Sequence, residues 1–198
     1  MKSIRPGIIP VVFALLSSML LAAPRGQVDH SQAFASAERK IEWIGENGHS
    51  TTPSKRSTVL TAAEWNAYLN EGGVKLPEGV SNVHLSSKPA VIHGDAEVDF
   101  DRLTANRTRN NPLLSLFTGK HHVTATAQAA AANGIGTVRV DSVEFDGVQV
   151  PPFAVEYFCN RYLRPKYGNA IGVDSTFRLH SHIDTAILGN NQVTITQR

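Results

Sequence analysis

The chain has 198 residues, 18% of them charged, with a formal charge of +2 and a single cysteine. That length suits one domain able to bury a sizeable core, and Cys159 alone excludes an intrachain disulfide. Lys2 and Arg5 account for the surplus of basic residues, and aromatic residues are not interleaved with basic ones, so the stripe that nucleic acid requires is missing.

Lys2 and Arg5 precede an apolar run from Ile8 to Ala23 that ends in small residues. A basic start, a short apolar middle and a small-residue end predict a secretory signal peptide over residues 1–23, cleaved near Ala23. The run falls short of the ~20 residues of a bilayer span, so the expectation is export to the periplasm or beyond. Residues 24–58 read as an N-terminal helix and a polar linker. Phe34, Ala37, Ile41 and Ile44 share one face of a helix over 28–47, and GHSTTPSKRS follows as the linker. This first helix reads as an appendage to a single α+β domain over residues 59–198.

In VLTAAEWNAYLNEGG, Thr61 and Glu64 form the capping box that opens a helix, with Leu60 and Trp65 at the staple positions. Gly72-Gly73 ends it. Asn66 sits mid-helix, where its amide competes with the backbone, and it is expected to bond a neighbouring segment.

The period then changes to two. Val83 and Leu85 suggest one strand, SSKP a turn, and AVIHGDAEVDFD a long strand with Ile92, Ala96, Val98 and Phe100 on its dry face. The segment from His122 to Ala131 alternates again. In TVRVDSVEFDG, Val138 and Val140 keep one parity and Val143 and Phe145 the other, which predicts a bulge near Asp141. Asp146-Gly147 predicts a tight turn. Pro151-Pro152 opens a second helix through Leu163, with Val155, Phe158, Cys159 and Tyr162 on one face. Strand-like alternation through Phe177, Leu179, Ile183 and Ile187 and a hairpin returning through Val193 and Ile195 close the chain. The predicted fold class is α+β, a strongly curved antiparallel sheet wrapped around one or two helices, with an extra N-terminal helix.

The candidate chemistry is thin. His93, Asp95, Glu97, Asp99 and Asp101 share a strand face, but neighbours there stand about 6.5–7 Å apart, which suits a solvated face better than a calcium site. His180 and His182 share a predicted strand face with Asp184 nearby, yet zinc would need more ligands than this stretch supplies. Cys159 falls on the apolar side of its helix and reads as a buried hydrophobe. There is no G-x-S-x-G, and Gly134-Ile135-Gly136 lacks the third glycine of a dinucleotide fingerprint. No catalytic residue, metal or cofactor is predicted, and the chain is not expected to be an enzyme.

NNPLLSLFTGKHH supports two readings. Leu113, Leu114, Leu116 and Phe117 either cap the end of the core or form an apolar lid or tip that touches a membrane. In the second reading Arg107, Arg109 and Lys120 form a basic collar, each adding roughly 1 kcal/mol at an anionic surface.

The helix LTAAEWNAYL, the strand AVIHGDAEVDFDRL, the turn VEFDGVQVPP with its helix, and the closing TFRLHSHIDTAILGNNQVTITQ follow one another in a familiar order. From Leu60 to Gln197 the chain resembles exported bacterial lipid-binding proteins of the tubular (TULIP-like) kind. The resemblance implies a highly curved sheet around a long helix, with an apolar groove for a lipid or other hydrophobic ligand. Trp65, Leu69, Val98, Phe100, Phe153 and Phe158 would line that groove, and the segment from Leu113 to Phe117 would guard its mouth or make peripheral membrane contact. The alternative is an envelope protein–protein interaction module whose core is full.

Overall fold

The structure, a computed structural model, describes residues 31–104, 117–167 and 172–198. The order of elements is α1 (Gln32–His49), β1 (Arg56–Thr61), α2 (Ala62–Asn70), β2 (Val80–Lys88), β3 (Val91–Asp99), α3 (Phe100–Leu103), β4 (Lys120–Ala132), β5 (Ile135–Phe145) and β6 (Val148–Gln149). There follow α4 (Pro152–Phe158), a π-helical turn (Cys159–Leu163), α5 (Arg164–Tyr167), β7 (Asp174–Arg178), β8 (Ile183–Gly189) and β9 (Gln192–Gln197).

All nine strands belong to one antiparallel sheet, so the predicted α+β class with an antiparallel sheet holds. Its main path runs β1-β9-β8-β4-β3-β2, and β5 lies on the other side of β4, carrying β6 and β7. One edge of β4 serves two neighbours in succession. Asp99 to Val91 of β3 pair with Lys120 to Gln128, and Ala186 of β8 then takes up Ala131. The predicted bulge is present: Val140 pairs with Ala127 and Ser142 with Thr126, leaving Asp141 as the extra residue. The Asp146-Gly147 turn has φ of 50° and 81°, as the tight hairpin turn requires.

Ser31 caps α1 by accepting from the Phe34 N–H. The helix is no appendage. Phe34, Ala37, Ile41 and Ile44 are buried in one cluster with Leu60, Tyr68, Ile183 and Ile195, and Phe34 stacks on Tyr68 at 5.5 Å between ring centroids. An apolar stripe of this width has to be covered, and the sheet covers it. The predicted linker also ends early, because Arg56 to Thr61 pair with Gln197 to Gln192 as an edge strand. Two further boundaries differ from expectation. SSKP overlaps the β2–β3 turn only at its last residue: Ser86 to Lys88 stay in the strand, and Pro89-Ala90, with Ala90 at φ 61°, makes the reversal. His180 and His182 are not on a strand, since Ser181 and His182 have φ of 56° and 54° in a turn before β8.

The outer edge of β2 is capped by side chains of α2. On α2, Asn66 accepts from the Leu85 N–H at 2.8 Å and donates to the Leu85 carbonyl at 2.9 Å. One turn later Asn70 accepts from the Val83 N–H at 3.0 Å and donates to the Val83 carbonyl at 2.6 Å. Two side-chain amides at i and i+4 thus act as a surrogate strand along the outer edge of β2, a device that hides a sheet edge from other chains. The expectation that Asn66 bonds a neighbouring segment is met by β2.

Among the described residues, no helix is long and apolar enough to cross a membrane.

Candidate functional site

The densest concentration of aromatic side chains lies between β3, β4, β5 and α4. Phe100 arrives there because the Asp99 side chain accepts from the Arg102 N–H and starts α3 at the end of β3. Phe145 ends β5, Phe158 ends α4, and Phe117 comes in just before β4. Phe117 stacks on Phe158 with centroids 4.2 Å apart and planes at 8°. It meets Phe100 and Phe145 edge-on at 5.5 and 5.4 Å. Phe158 in turn meets Phe100 edge-on at 5.6 Å and Tyr162 at 5.5 Å. Such offset and edge-to-face pairs add about 0.5–1.5 kcal/mol each beyond the area they bury.

A polar cluster borders these rings. His121 stacks on Phe145 at 5.6 Å, with Nδ1 2.6 Å from Asp146 Oδ2 and Nε2 2.8 Å from the Thr118 carbonyl. Both neighbours are hydrogen-bond acceptors. The His122 N–H donates to Asp146 Oδ1 at 2.9 Å. The His121 hydrogen bond first, and the His122 N–H second, hold the Asp146 carboxyl below its ordinary range.

The predicted groove residues do not line one groove. Val98, Phe100 and Phe158 share the aromatic cluster. Leu69 packs instead with Val83 and Leu85, with Trp65 against it and the Trp65 Nε1–H donating to the Leu85 carbonyl at 3.0 Å. Phe153 is 72% exposed, because its position on the first turn of α4 faces outward. Phe117, read either as a cap on the core or as part of a lid or tip, is 2% exposed at the centre of the rings, where the first of those readings puts it. Lys120 is exposed at the start of β4. Leu113, Leu114, Leu116, Arg107 and Arg109 lie outside the described residues.

A hollow of about 310 Å³ opens beside α3, lined by Val80 and Val98 and by the charged Glu97, Asp99, Arg102 and Lys120. That lining suits a polar guest better than an acyl chain.

The candidate metal and nucleophile positions have structural partners. His93 bonds Thr126 Oγ1 at 2.9 Å, Glu97 lies 3.3 Å from His122 Nδ1, and Asp99 caps α3. Among the described residues no three potential ligands gather around a point that could hold a metal ion. Burial pushes the Cys159 thiol up to about 11, so it stays protonated at neutral pH and is a poor nucleophile.

Sequence reasoning missed the second amide of the β2 edge cap, although the spacing of Asn66 and Asn70 signals it, and the exposed face of α4. No family model, curated protein or solved structure matches the chain.

Proposed function

We propose that this protein is an exported, non-catalytic binding protein of the cell envelope whose ligand is a lipid or another apolar molecule. In this reading the sheet curves strongly around its helices, and the guest lodges between the sheet and α4. The observation that carries the reading is the meeting of Phe100, Phe117, Phe145 and Phe158, contributed by four separate segments, under a single short helix. The π-helical turn that interrupts this helix adds support, since such turns concentrate at functional sites. A guest reaching Val98, Phe100 and Phe158 would take the place that the Phe117 ring fills.

A second reading, an interaction module with a full core, is favoured by the tight burial of the same four rings, none more than 7% exposed. Native mass spectrometry of protein purified from its own host separates the two. A co-purified lipid supports the ligand reading, and a stoichiometric protein partner without lipid overturns it.

A further inference from the structure

At the rim of the sheet, β2 has its outer edge covered by Asn66 and Asn70, whereas β7 pairs with β5 on one side and with no other strand among the described residues. The backbone bonds fix which groups of β7 face outward. The Leu179 N–H donates to the Gly134 carbonyl at 2.8 Å, and the Val140 N–H to the Val173 carbonyl at 2.7 Å. Bonded and unbonded positions alternate along an antiparallel ladder, so Ser175 and Phe177 also turn their N–H and C=O groups to β5. Those of Asp174, Thr176 and Arg178 point away from the sheet and have no partner among the described residues.

The side chains of Asp174, Thr176 and Arg178 are exposed on the outer face, while Ser175 and Phe177 are buried on the inner one. Asp174 and Arg178 flank Thr176 at equal spacing and carry opposite charges. Neither forms an ion pair among the described residues. Arg139, the neighbour of Asp174 on β5, is turned towards β4, with Nη2 3.1 Å from Gln128 Oε1 and Nε 3.8 Å from Asp141 Oδ1. The open edge is thus acidic at one end and basic at the other.

We infer that this edge binds a second copy of the chain, β7 against β7 in antiparallel sense about a two-fold axis at Thr176. Thr176 then faces its own copy, and Asp174 of each molecule faces Arg178 of the other. Every facing pair exchanges both N–H···O=C bonds, because these residues already turn those groups outward. Charge selects the register: pairing centred on Asp174 or on Arg178 opposes like charges, and pairing centred on Thr176 opposes unlike ones. A contact of this symmetry closes after two copies, so it occupies the edge without propagating into a fibre. The edge of β1 is a poorer template. The Ala62 N–H bond to Asn191 leaves Ser57 and Val59 facing outward, but the Thr61 N–H is taken by Glu64 and the strand holds no carboxylate to face Arg56. The β7 edge is separate from the interior rings, so pairing does not require a guest inside the protein.

The test is sedimentation velocity over a concentration series reaching about 1 mM, since a contact this small associates weakly. The wild type is expected to pass from monomer to dimer as concentration rises, and to do so less in high salt. Asp174→Arg or Arg178→Asp alone sets like charges opposite each other at both ends of the contact and should weaken dimerisation by about tenfold or more. An equal mixture of these two single variants opposes unlike charges again and should form a mixed dimer. The double exchange Asp174→Arg/Arg178→Asp should dimerise with itself for the same reason. All these changes lie at exposed positions, and circular dichroism with a melting curve verifies that the fold is kept. A wild type that stays monomeric throughout, a dimer indifferent to either reversal, or a mixture that fails to associate overturns the proposal.

Discussion

Nζ of Lys40 on α1 lies 2.6 Å from Oε1 and 2.8 Å from Oε2 of Glu64, the residue that closes the capping box of α2. Glu64 also accepts from the Ser36 hydroxyl at 2.5 Å and from the Thr61 N–H at 2.8 Å. Burial works to raise this carboxyl, and the hydrogen bonds from Lys40, Ser36 and Thr61 together outweigh it and hold it below the usual value. A group depressed in the folded state stabilises fully above its unfolded pKa and loses that contribution as pH falls through the folded one. Lys40→Ala should therefore cost about 1–2 kcal/mol near neutral pH, discounted because Lys40 is a third exposed. Urea unfolding across the acid range should show a smaller stability loss on acidification in the variant than in the wild type.

The amide pair on α2 makes a sharper prediction. Asn66→Ala orphans the Leu85 N–H, while the Leu85 carbonyl keeps Trp65. An unsatisfied donor of this kind costs about 1–3 kcal/mol. Asn66→Asp retains an acceptor for that N–H but cannot donate to the carbonyl, so it should be milder in chemical denaturation. The double variant Asn66→Ala/Asn70→Ala bares the edge of β2 and should aggregate on gentle warming. A double variant as soluble as the wild type would show that the edge is hidden by other means.

Removing the central ring tests the interior directly. Phe117→Ala should cost about 3–5 kcal/mol in a denaturant titration, because Phe100, Phe145 and Phe158 relax only partly around the space left behind. If a guest can lodge there, the same variant should bind a small apolar fluorophore that the wild type excludes. Failure to bind it would favour the full-core reading.

Asp146 gives a pH signature at the surface. Its carboxyl is depressed by His121 and by the His122 N–H, so its contribution is present above the unfolded pKa and lost as pH falls through the folded value. Asp146→Asn should flatten that part of the stability profile and shift the His121 ring resonances in proton NMR. Unchanged His121 signals would mean that the contact is not held in solution.

Local signals in the sequence carried far. The Thr61–Glu64 capping box, the Asp146-Gly147 turn, the bulge at Asp141 and the hairpin through Val193 and Ile195 each rest on a few adjacent residues, and all are present. Long-range pairing was not legible. Arg56 to Thr61 look like a polar linker until Gln192 to Gln197 lie beside them, and then they are a strand. The burial of Phe117 depends on Phe100, Phe145 and Phe158, which are distant in the chain. Conversely, Phe153 was expected to line the groove, because aromatic character alone does not say which side of a helix is covered. The amphipathic pattern of α1 was legible, but not its destination in the main core.

The pairing of β1 with β9 has a consequence for the order of assembly. The cluster that holds α1 cannot be sealed until the last strand has been synthesised and has returned across the molecule to Leu60. Contacts so far apart in sequence form slowly, so the cluster around α1 should be among the last parts of the molecule to gain protection from hydrogen exchange during refolding.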